Sequence, residues 1–408
     1  MNVAPGGSSA GPRPSRRTAL GLLATVPLAA AGGVPANAGT AHAGPARSGR
    51  IPRELLPGGE FDRFLARQAE GDQFSGTVLL AHGGRPVLTR SYGMADKSRS
   101  IPNGRDTIFT LASMTKCFTG VAIGRLVQEG QVALHETVGT YLDGFSEETG
   151  KVTVHQLLTH TAGLGNYPEA ADFLPGLSEW DSAAEMMDGV MAIIRRMETQ
   201  PRFVPGTRHV YSNSGYVVLG AIVARVSGLS YHDYVRQQVL ARAGMRRSDL
   251  YTRPQVIARR DIAHPYLAQP AGERVDFTTH DYFGFVGGPA DGVYSTASEL
   301  LEFVGALREG RLLNPAFTEL FTGGKVPLLP TDRPVTPAQS RFYGYGFRNT
   351  VVGGQRIFGH SGSGPGRATN LDIYPDLDFV AVILSNYDTS VEPIVQKERE
   401  LATTARWA

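Results

Sequence analysis

The chain has 408 residues, of which 41% are hydrophobic and 19% charged, and its formal net charge is +2. This balance is ordinary for a folded protein with a substantial core, and it gives no sign of a nucleic-acid surface or an anionic membrane partner. The single cysteine, Cys117, excludes an internal disulfide and a cysteine-based zinc site, and the sequence has neither H-E-x-x-H nor G-x-x-x-x-G-K-[ST], so we expect no metal and no cofactor.

The first 43 residues are predicted to be a secretory signal that resembles the twin-arginine type. Ser15-Arg16-Arg17 precedes a modest apolar stretch that is too short to span a bilayer comfortably, and small-residue sites follow at Ala36-Asn37-Ala38 and Ala41-His42-Ala43. A disordered leader rich in alanine and glycine is the alternative. We therefore expect an exported protein, extracellular or in the cell envelope, without stable membrane insertion after cleavage, and a linker over residues 44–54.

The elements expected after the linker begin with a helix, a hairpin and a second helix. Apolar residues at helical spacing predict a helix over residues 61–69. Two apolar runs around a Gly-Gly turn predict two antiparallel strands within residues 74–93. An apolar helix then runs from Ser113 to about Glu129, and Gly130 is a suitable residue to end it.

The middle of the chain is predicted to be mostly helical, and the C-terminal part mostly strand. The expected helices cover residues 154–161, 183–199, 214–226, 231–243, 295–308 and 391–404, and the expected strands cover 343–352, 355–360, 369–374 and 379–386. Because strands come from both ends, the simplest fold is α/β of the α+β type: an antiparallel β-sheet flanked by terminal helices plus a large, mostly helical domain. The sheet subdomain would comprise about residues 55–110 and 300–400, and the helical subdomain about 111–299.

Ser113 and Lys116 are spaced three residues apart at the start of one predicted helix. Residues three apart share a helix face, so the hydroxyl and the amine can lie side by side. A partly desolvated lysine loses its proton more easily, and as a free amine it can draw the proton off Ser113. Only five of the 40 basic residues are lysines, which makes a chance pair uncommon. The alternative is an N-cap serine with a solvated lysine in the first turn.

Two further stretches carry candidate site residues. In Tyr211-Ser212-Asn213, the phenol can act as general acid or base where ammonium groups stabilise the phenolate, and the Asn213 amide can hold a substrate carbonyl and steady the lysine. His360-Ser361-Gly362-Ser363-Gly364 ends a predicted strand, whose edge can supply an oxyanion N–H. Taken alone, the first stretch could be a capped helix with a packed tyrosine, and the second a tight turn with a surface histidine.

The three stretches together, in this order, resemble the penicillin-binding-protein and class C β-lactamase family of serine hydrolases, which includes D-alanyl-D-alanine carboxypeptidase-like enzymes and related esterases. Leu-Leu-Thr-His-Thr-Ala-Gly-Leu at residues 157–164 and Gly-Gly-Pro-Ala-Asp-Gly-Val-Tyr-Ser-Thr at residues 287–296 add to the likeness. The resemblance covers about residues 55–400. It implies a β-lactamase/transpeptidase-like fold with the active site between the sheet and the helical domain.

The resemblance also implies a role for each candidate residue. Ser113 would be the acylated nucleophile and Lys116 its activator. Tyr211 would pass a proton to the leaving group and later activate water, and Asn213 would contact the acyl portion. The backbone N–H groups of Ser113 and Ser363 would form the oxyanion hole.

His360 is where the chain departs from the class C pattern, which has the lysine of Lys-Thr-Gly at this position. A histidine there resembles certain D-alanyl-D-alanine carboxypeptidases, D-amino-acid peptidases and related esterases, and it could donate a proton or position a carboxylate. Ser361 and Ser363, on either side of Gly362, could hydrogen-bond a substrate carboxylate. Arg367 is a candidate cation for one, and an ordinary surface arginine is the alternative.

The predicted function is therefore an exported serine hydrolase that forms an acyl-enzyme on an ester or amide of a small-molecule or peptide substrate. A D-amino-acid peptidase, carboxypeptidase or esterase comes first and a β-lactamase lower, because the usual cation for a β-lactam carboxylate is missing. Acyl transfer to an amine or alcohol, including peptide cyclisation, and a non-turnover penicillin-binding sensor stay open, as does the oligomeric state. His160, in its Thr-His-Thr turn, is expected to be a structural hydrogen-bonding residue.

Overall fold

The computed structural model describes residues 50–270, 272–328, 339–405 and 407. The predicted signal sequence and the first part of the linker lie outside these residues. Among the residues that are described, no single helix is long and apolar enough to cross a membrane, although the pair Asn213–Ser227 and Tyr231–Ala243, bent by 81°, passes the same test of length and composition together.

An eight-stranded antiparallel sheet forms the centre of the fold, in the order β2-β1-β14-β13-β12-β11-β10-β9. Its strands, in chain order, are β1 (Gly76–His82), β2 (Arg85–Tyr92), β9 (Val326–Pro327), β10 (Ser340–Tyr343), β11 (Arg348–Val352), β12 (Gln355–Gly364), β13 (Arg367–Tyr374) and β14 (Phe379–Ser385). Six short strands pair outside it: β3 (Met94–Asp96), β4 (Ile101–Pro102), β5 (Phe109–Thr110), β6 (Tyr266–Ala268), β7 (Arg274–Asp276) and β8 (Tyr294–Ser295).

Helices cover the two faces of the sheet. They are α1 (Glu60–Glu70), α2 (Thr115–Gln128), α3 (Val138–Tyr141), α4 (Glu147–Gly150), α5 (Val154–Leu158), α6 (Phe173–Glu179), α7 (Ala183–Met197), α8 (Asn213–Ser227), α9 (Tyr231–Val235), α10 (Ala241–Ala243), α11 (Arg253–Ala258), α12 (Ala297–Arg308), α13 (Pro315–Thr322) and α14 (Glu392–Thr404). A π-helical turn, Arg236–Leu240, joins α9 to α10.

The sheet is buried on both faces, and β1 shows how its sequence serves both. Val78 and Leu80 point into a core closed by the first and last helices, α1 and α14. Leu79 and Ala81 point into the larger core, which the helices of the middle of the chain complete. This follows from the period of two in a strand, because a continuous apolar run supplies both faces.

The predicted fold class is confirmed, with strands from both ends of the chain meeting at the β1–β14 pair. Two local predictions were wrong. Ser113 does not lie in the helix, because a 3-10 turn, Ala112–Met114, precedes α2. The strand predicted over residues 355–360 is too short, because β13 pairs with residues 358–364 and β12 therefore extends to Gly364, so that the stretch from His360 to Gly364 is the end of this strand. The short pairs β3–β4, β5–β8 and β6–β7 were not predicted.

A close approach between α2 and the β10–β11 turn positions the elements of the site. A methyl group on Gly120 would lie 2.2 Å from the Tyr345 carbonyl oxygen, and one on Gly346, whose φ is +87°, would lie 2.3 Å from the Lys116 carbonyl oxygen. The helix that carries Lys116 therefore packs directly on the turn that leads to Arg348. We expect Gly120→Ala to lower the free energy of unfolding by about 1–3 kcal/mol, because backbone must move.

Chemical denaturation measures this effect. Gly305→Ala in α12 is the matched control, since a methyl group there meets nothing closer than 3.9 Å. The control is expected to be neutral or stabilising, because alanine restricts the unfolded chain. Equal stability of the Gly120→Ala and wild-type proteins would contradict the close-packing account.

Candidate active site

Ser113 lies in the 3-10 turn between β5 and α2, and the segment before it is tightly held. The Leu111 N–H donates to the Val293 carbonyl at 2.8 Å, and the Leu111 carbonyl accepts from the Thr369 hydroxyl at 2.9 Å. Ala112 has a φ of +47°, which is costly for a residue with a side chain. Strain of this kind persists only where surrounding contacts fix it, and here it places the Ser113 hydroxyl at the mouth of a cavity.

Lys116 is fully buried at the first turn of α2, and its ammonium nitrogen has three partners. Nζ lies 3.2 Å from Ser113 Oγ, 2.8 Å from Asn213 Oδ1 and 2.8 Å from the Ala290 carbonyl oxygen. Burial lowers the pKa of Lys116 to about 7. In the neutral form, two N–H groups can serve the two carbonyl oxygens, which only accept, so the lone pair is left for the Ser113 hydroxyl.

The Tyr211-Ser212-Asn213 segment is fixed at the N-terminus of α8. The Ser212 hydroxyl caps the helix by accepting from the Gly215 N–H at 3.2 Å, and the Asn213 N–H donates to Asn166 Oδ1 at 2.9 Å. His160 Nδ1 accepts from the buried Ser212 N–H at 3.1 Å. His160 is thus placed as a structural hydrogen-bonding residue, with a φ of +57° and a pKa held well below its usual range by burial.

Tyr211 lies between the Lys116 amine and the Arg348 guanidinium. Lys116 Nζ is 4.9 Å from the centre of its ring, and the Arg348 guanidinium carbon is 5.7 Å from it. Burial outweighs the nearby positive charge and raises the pKa of Tyr211 to about 12, with the Ser113 hydroxyl and Arg348 acting in the opposite direction. Among the described residues, the Tyr211 hydroxyl has no hydrogen-bond partner of ordinary geometry. At neutral pH Tyr211 is therefore a phenol with a proton to donate.

His360 is buried in β12, which excludes the alternative of a surface residue on a tight turn. Its Nδ1–H donates to the Ser361 carbonyl, and its Nε2 accepts from the Tyr343 hydroxyl at 3.0 Å. Burial holds the pKa of His360 well below its usual range, so the ring is neutral. Its ring centre is 6.5 Å from that of Tyr211. The structure thus places His360 near Tyr211 as a positioning residue, because both of its ring nitrogens are already hydrogen-bonded.

The end of β12 passes close to the nucleophile segment. A methyl group on Gly362 would lie 2.3 Å from the Leu111 carbonyl oxygen and 3.0 Å from the Ala112 Cβ, so only glycine permits this approach. Ser361 is half-buried, and Ser363 is exposed at the mouth of the site. The strand therefore brings the backbone of Ser363 beside Ser113, where the sequence predicts the second oxyanion donor.

Two cavities meet at Ser363, which lines both of them. The first, which we call the charged cavity, has a volume of about 1140 Å³ and is lined by Tyr211 and His360 together with charged side chains of both signs. These are Arg208, Arg341, Arg348, Arg399, Asp372, Asp388 and Glu392. The second, which we call the apolar cavity, has a volume of about 620 Å³ and opens at Ser113 and Asn213. Tyr211 lines the charged cavity, and Ser113 lines the apolar cavity.

Arg348 and Asp291 are site residues that the sequence did not single out. Arg348 is exposed at the start of β11, and no carboxylate of the described residues lies within ion-pair distance of it. Asp291 lies beside Lys116 in the apolar cavity, 3.8 Å from Arg367, which is half-buried rather than a surface residue. No local motif marks Arg348; its register against Gly359 in the sheet brings it to the site.

The arrangement is suited to nucleophilic acyl transfer. A neutral lysine amine is hydrogen-bonded to a serine hydroxyl, a phenol stands beside the pair, and a strand with accessible backbone N–H groups runs alongside. In the described part of the chain, no group of three or more His, Cys, Asp or Glu side chains is arranged to hold a metal ion.

Comparisons with known proteins agree with this chemistry. The family model described as Beta-lactamase matches residues 61–405. Penicillin-binding protein 4* of Bacillus subtilis (strain 168) is 30% identical over 345 residues, which are 81% of this chain and 72% of that protein. Esterase EstB of Burkholderia gladioli is 29% identical over 268 residues, 59% of this chain and 66% of that protein. The crystal structure of a penicillin binding protein from Bacillus halodurans matches with a TM-score of 0.71 and 27% identity, covering 83% of this chain and 98% of that one.

Proposed function

The chain belongs to the Beta-lactamase family of serine hydrolases, and on that premise we propose that it is an exported enzyme whose Ser113 is acylated by an ester or amide. The substrate we favour is a peptide with a D-amino-acid leaving group that carries a free carboxylate, or a small ester. A relative named an esterase supports an ester donor, and a relative named a penicillin-binding protein supports a donor with an amide bond, since penicillin is a cyclic amide.

The observation that carries this proposal is the environment of Lys116. Its buried amine, with a pKa of about 7, is hydrogen-bonded at 3.2 Å to Ser113 Oγ and to two carbonyl oxygens that only accept. A capped helix with a solvated lysine would show neither the burial nor these contacts. The free amine is poised to take the serine proton at neutral pH.

The proposed reaction has two stages, acylation and deacylation, which use the same groups. Ser113 Oγ attacks the acyl carbon as its proton passes to Lys116 Nζ, and the C–N or C–O bond breaks as Tyr211 gives its proton to the leaving group. The proton on Lys116 then restores the Tyr211 phenol. Water then attacks the acyl-enzyme and gives one proton to Lys116 and Tyr211. These groups return the proton to Ser113 Oγ as the acid product leaves.

Arg348 supplies the observation that favours a carboxylate on the leaving group. It lines the charged cavity beside Tyr211, the proton donor, and it forms no ion pair with a carboxylate of the described residues, although Asp372, Asp388 and Glu392 also line this cavity. We expect Arg348→Gln to lower kcat/KM about 10- to 100-fold for an acyl-D-Ala-D-Ala peptide, because a hydrogen bond between charged groups is lost. The same peptide as a C-terminal amide is expected to react equally with both proteins. Arg85→Gln in the exposed β1–β2 hairpin is the control.

One experiment separates the proposed hydrolase from the other members of its class. The mature protein is incubated with a p-nitrophenyl ester, an acyl-D-Ala-D-Ala peptide and a fluorescent β-lactam, while product and intact mass are followed. We expect turnover of the ester or the peptide. Rapid turnover of the β-lactam alone would indicate a β-lactamase, and a stable adduct without turnover of any donor would indicate a sensor. Products joined to an added amine would indicate acyl transfer, and neither adduct nor turnover would contradict the proposal.

A further inference from the structure

Acyl transfer at Ser113 does not itself require the apolar cavity beside this residue. We infer that it selects acyl donors with a large apolar acyl group, while the charged cavity receives the leaving group. This inference rests on the proposed function, since it assigns the two halves of the substrate to two chambers of the same site.

The walls of the apolar cavity are built from side chains of three helices and the loop before β8. They include Phe173, Leu177, Met187, Val190, Val217 and Phe283. At about 620 Å³ the cavity is within the range that holds a small organic ligand and far exceeds what an acetyl group needs. Leu174 and Tyr282, exposed by 41% and 44%, continue the apolar surface outward.

Several polar groups in the apolar cavity already have partners, although the buried Arg367 Nε has no hydrogen-bond partner among the described residues. Asn213 Oδ1 accepts from Lys116, Arg367 lies 3.8 Å from Asp291, and His232 Nε2 is 3.0 Å from the Gly287 carbonyl oxygen. A polar acyl group would lose its contacts with water against the apolar walls, whose side chains offer no hydrogen bonds in return. An apolar one gains free energy with each methylene that it buries.

The positions of the nucleophile and the proton donor decide which half of the substrate lies in which cavity. After attack, the acyl carbon is bonded to Ser113 Oγ, and Ser113 lines the apolar cavity. The leaving group needs a proton, and the phenol of Tyr211 lines the charged cavity. The acyl substituent is thus directed between α7 and the 287–292 loop, where Met187 Sδ lies 3.8 Å from the place that a methyl on Gly288 would occupy.

A series of p-nitrophenyl esters tests the inference, because its members share one leaving group and differ only in the acyl chain. We expect kcat/KM, divided by the uncatalysed rate of each ester, to rise at least about 50-fold from acetate to octanoate. Met187→Glu should lower the octanoate value at least about 10-fold and change the acetate value less than threefold, and Leu177→Gln serves if that variant does not fold. Leu320→Glu, on the exposed side of α13, is the control and should alter neither.

An active enzyme with a flat or falling series, or a Met187→Glu variant that loses both activities equally, would overturn the inference and leave the proposed function standing. If the wild-type protein hydrolyses none of these esters, binding decides the inference, and the proposed function fails only if the peptide is not turned over either and no adduct forms. In that case calorimetry with Ser113→Ala protein should show binding of octanamide but not of acetamide, and loss of octanamide binding on adding Met187→Glu. No octanamide binding would overturn it.

Discussion

Ser113→Ala is expected to lower turnover of every acyl donor at least about 10⁴-fold and to abolish the covalent adduct, because no other hydroxyl of the described residues is hydrogen-bonded to the buried Lys116 amine. The fold should survive, since among the described residues the Ser113 hydroxyl interacts only with the site residues Lys116 and Tyr211 and lines a cavity. Rates of ester and peptide hydrolysis and intact mass after incubation measure the effect.

Ser227→Ala is the matched control for this substitution. Ser227 ends α8, about 21 Å along the helix axis from Asn213, and its hydroxyl bonds only within that helix and its C-terminal turn. It should leave both rate and adduct unchanged. Retention of more than a tenth of wild-type turnover by Ser113→Ala would remove Ser113 from the reaction.

Lys116→Met is expected to slow acylation by about 10² to 10⁴-fold, since methionine fills similar space but cannot accept the serine proton. The pH dependence identifies the cause. Because the pKa of Lys116 is lowered to about 7, wild-type acylation should rise with pH through about 7 as the amine loses its proton. In Lys116→Met this rise should disappear. Lys151→Met, which removes an exposed lysine paired with Glu147, is the control and should keep both the rate and the rise.

The stability of the wild-type protein should also depend on pH through the lowered pKa of Lys116. Between about pH 7 and the ordinary lysine value of 10.5, the unfolded chain holds a proton on Lys116 that the folded protein does not. The free energy of unfolding therefore increases with pH across this window, and this increase should be absent in Lys116→Met. A wild-type acylation profile that is flat from pH 6 to 8 would contradict the role of Lys116 as a neutral base.

The sequence was a good guide to this fold because its informative features are local. The apolar run in β1, the amphipathic α7 and the capped start of α8 are each determined by neighbours in the chain, so periodicity and capping residues predict them. The Ser113–Lys116 pair was also predictable, since a spacing of three keeps the two side chains together across the 3-10 turn and the start of α2.

What sequence reasoning missed depends on contacts between distant segments. Arg348 reaches the site only because β11 pairs with β12, and the strained φ of Ala112 exists only because Val293 and Thr369 hold the segment before Ser113. His360 was recognised as a departure from the family pattern, but its neutral, fully bonded ring depends on Tyr343, 17 residues away. The division into two cavities likewise has no local signal.

The most direct test of the account is to locate the acyl group in the protein. Wild-type protein is mixed with a slowly deacylating ester or β-lactam, quenched, digested with trypsin and sequenced by tandem mass spectrometry. We predict the added mass on the peptide of residues 106–116, at Ser113 and not at its threonines. An adduct on the peptide of residues 357–367, at Ser361 or Ser363, would contradict the assignment of Ser113 as the nucleophile.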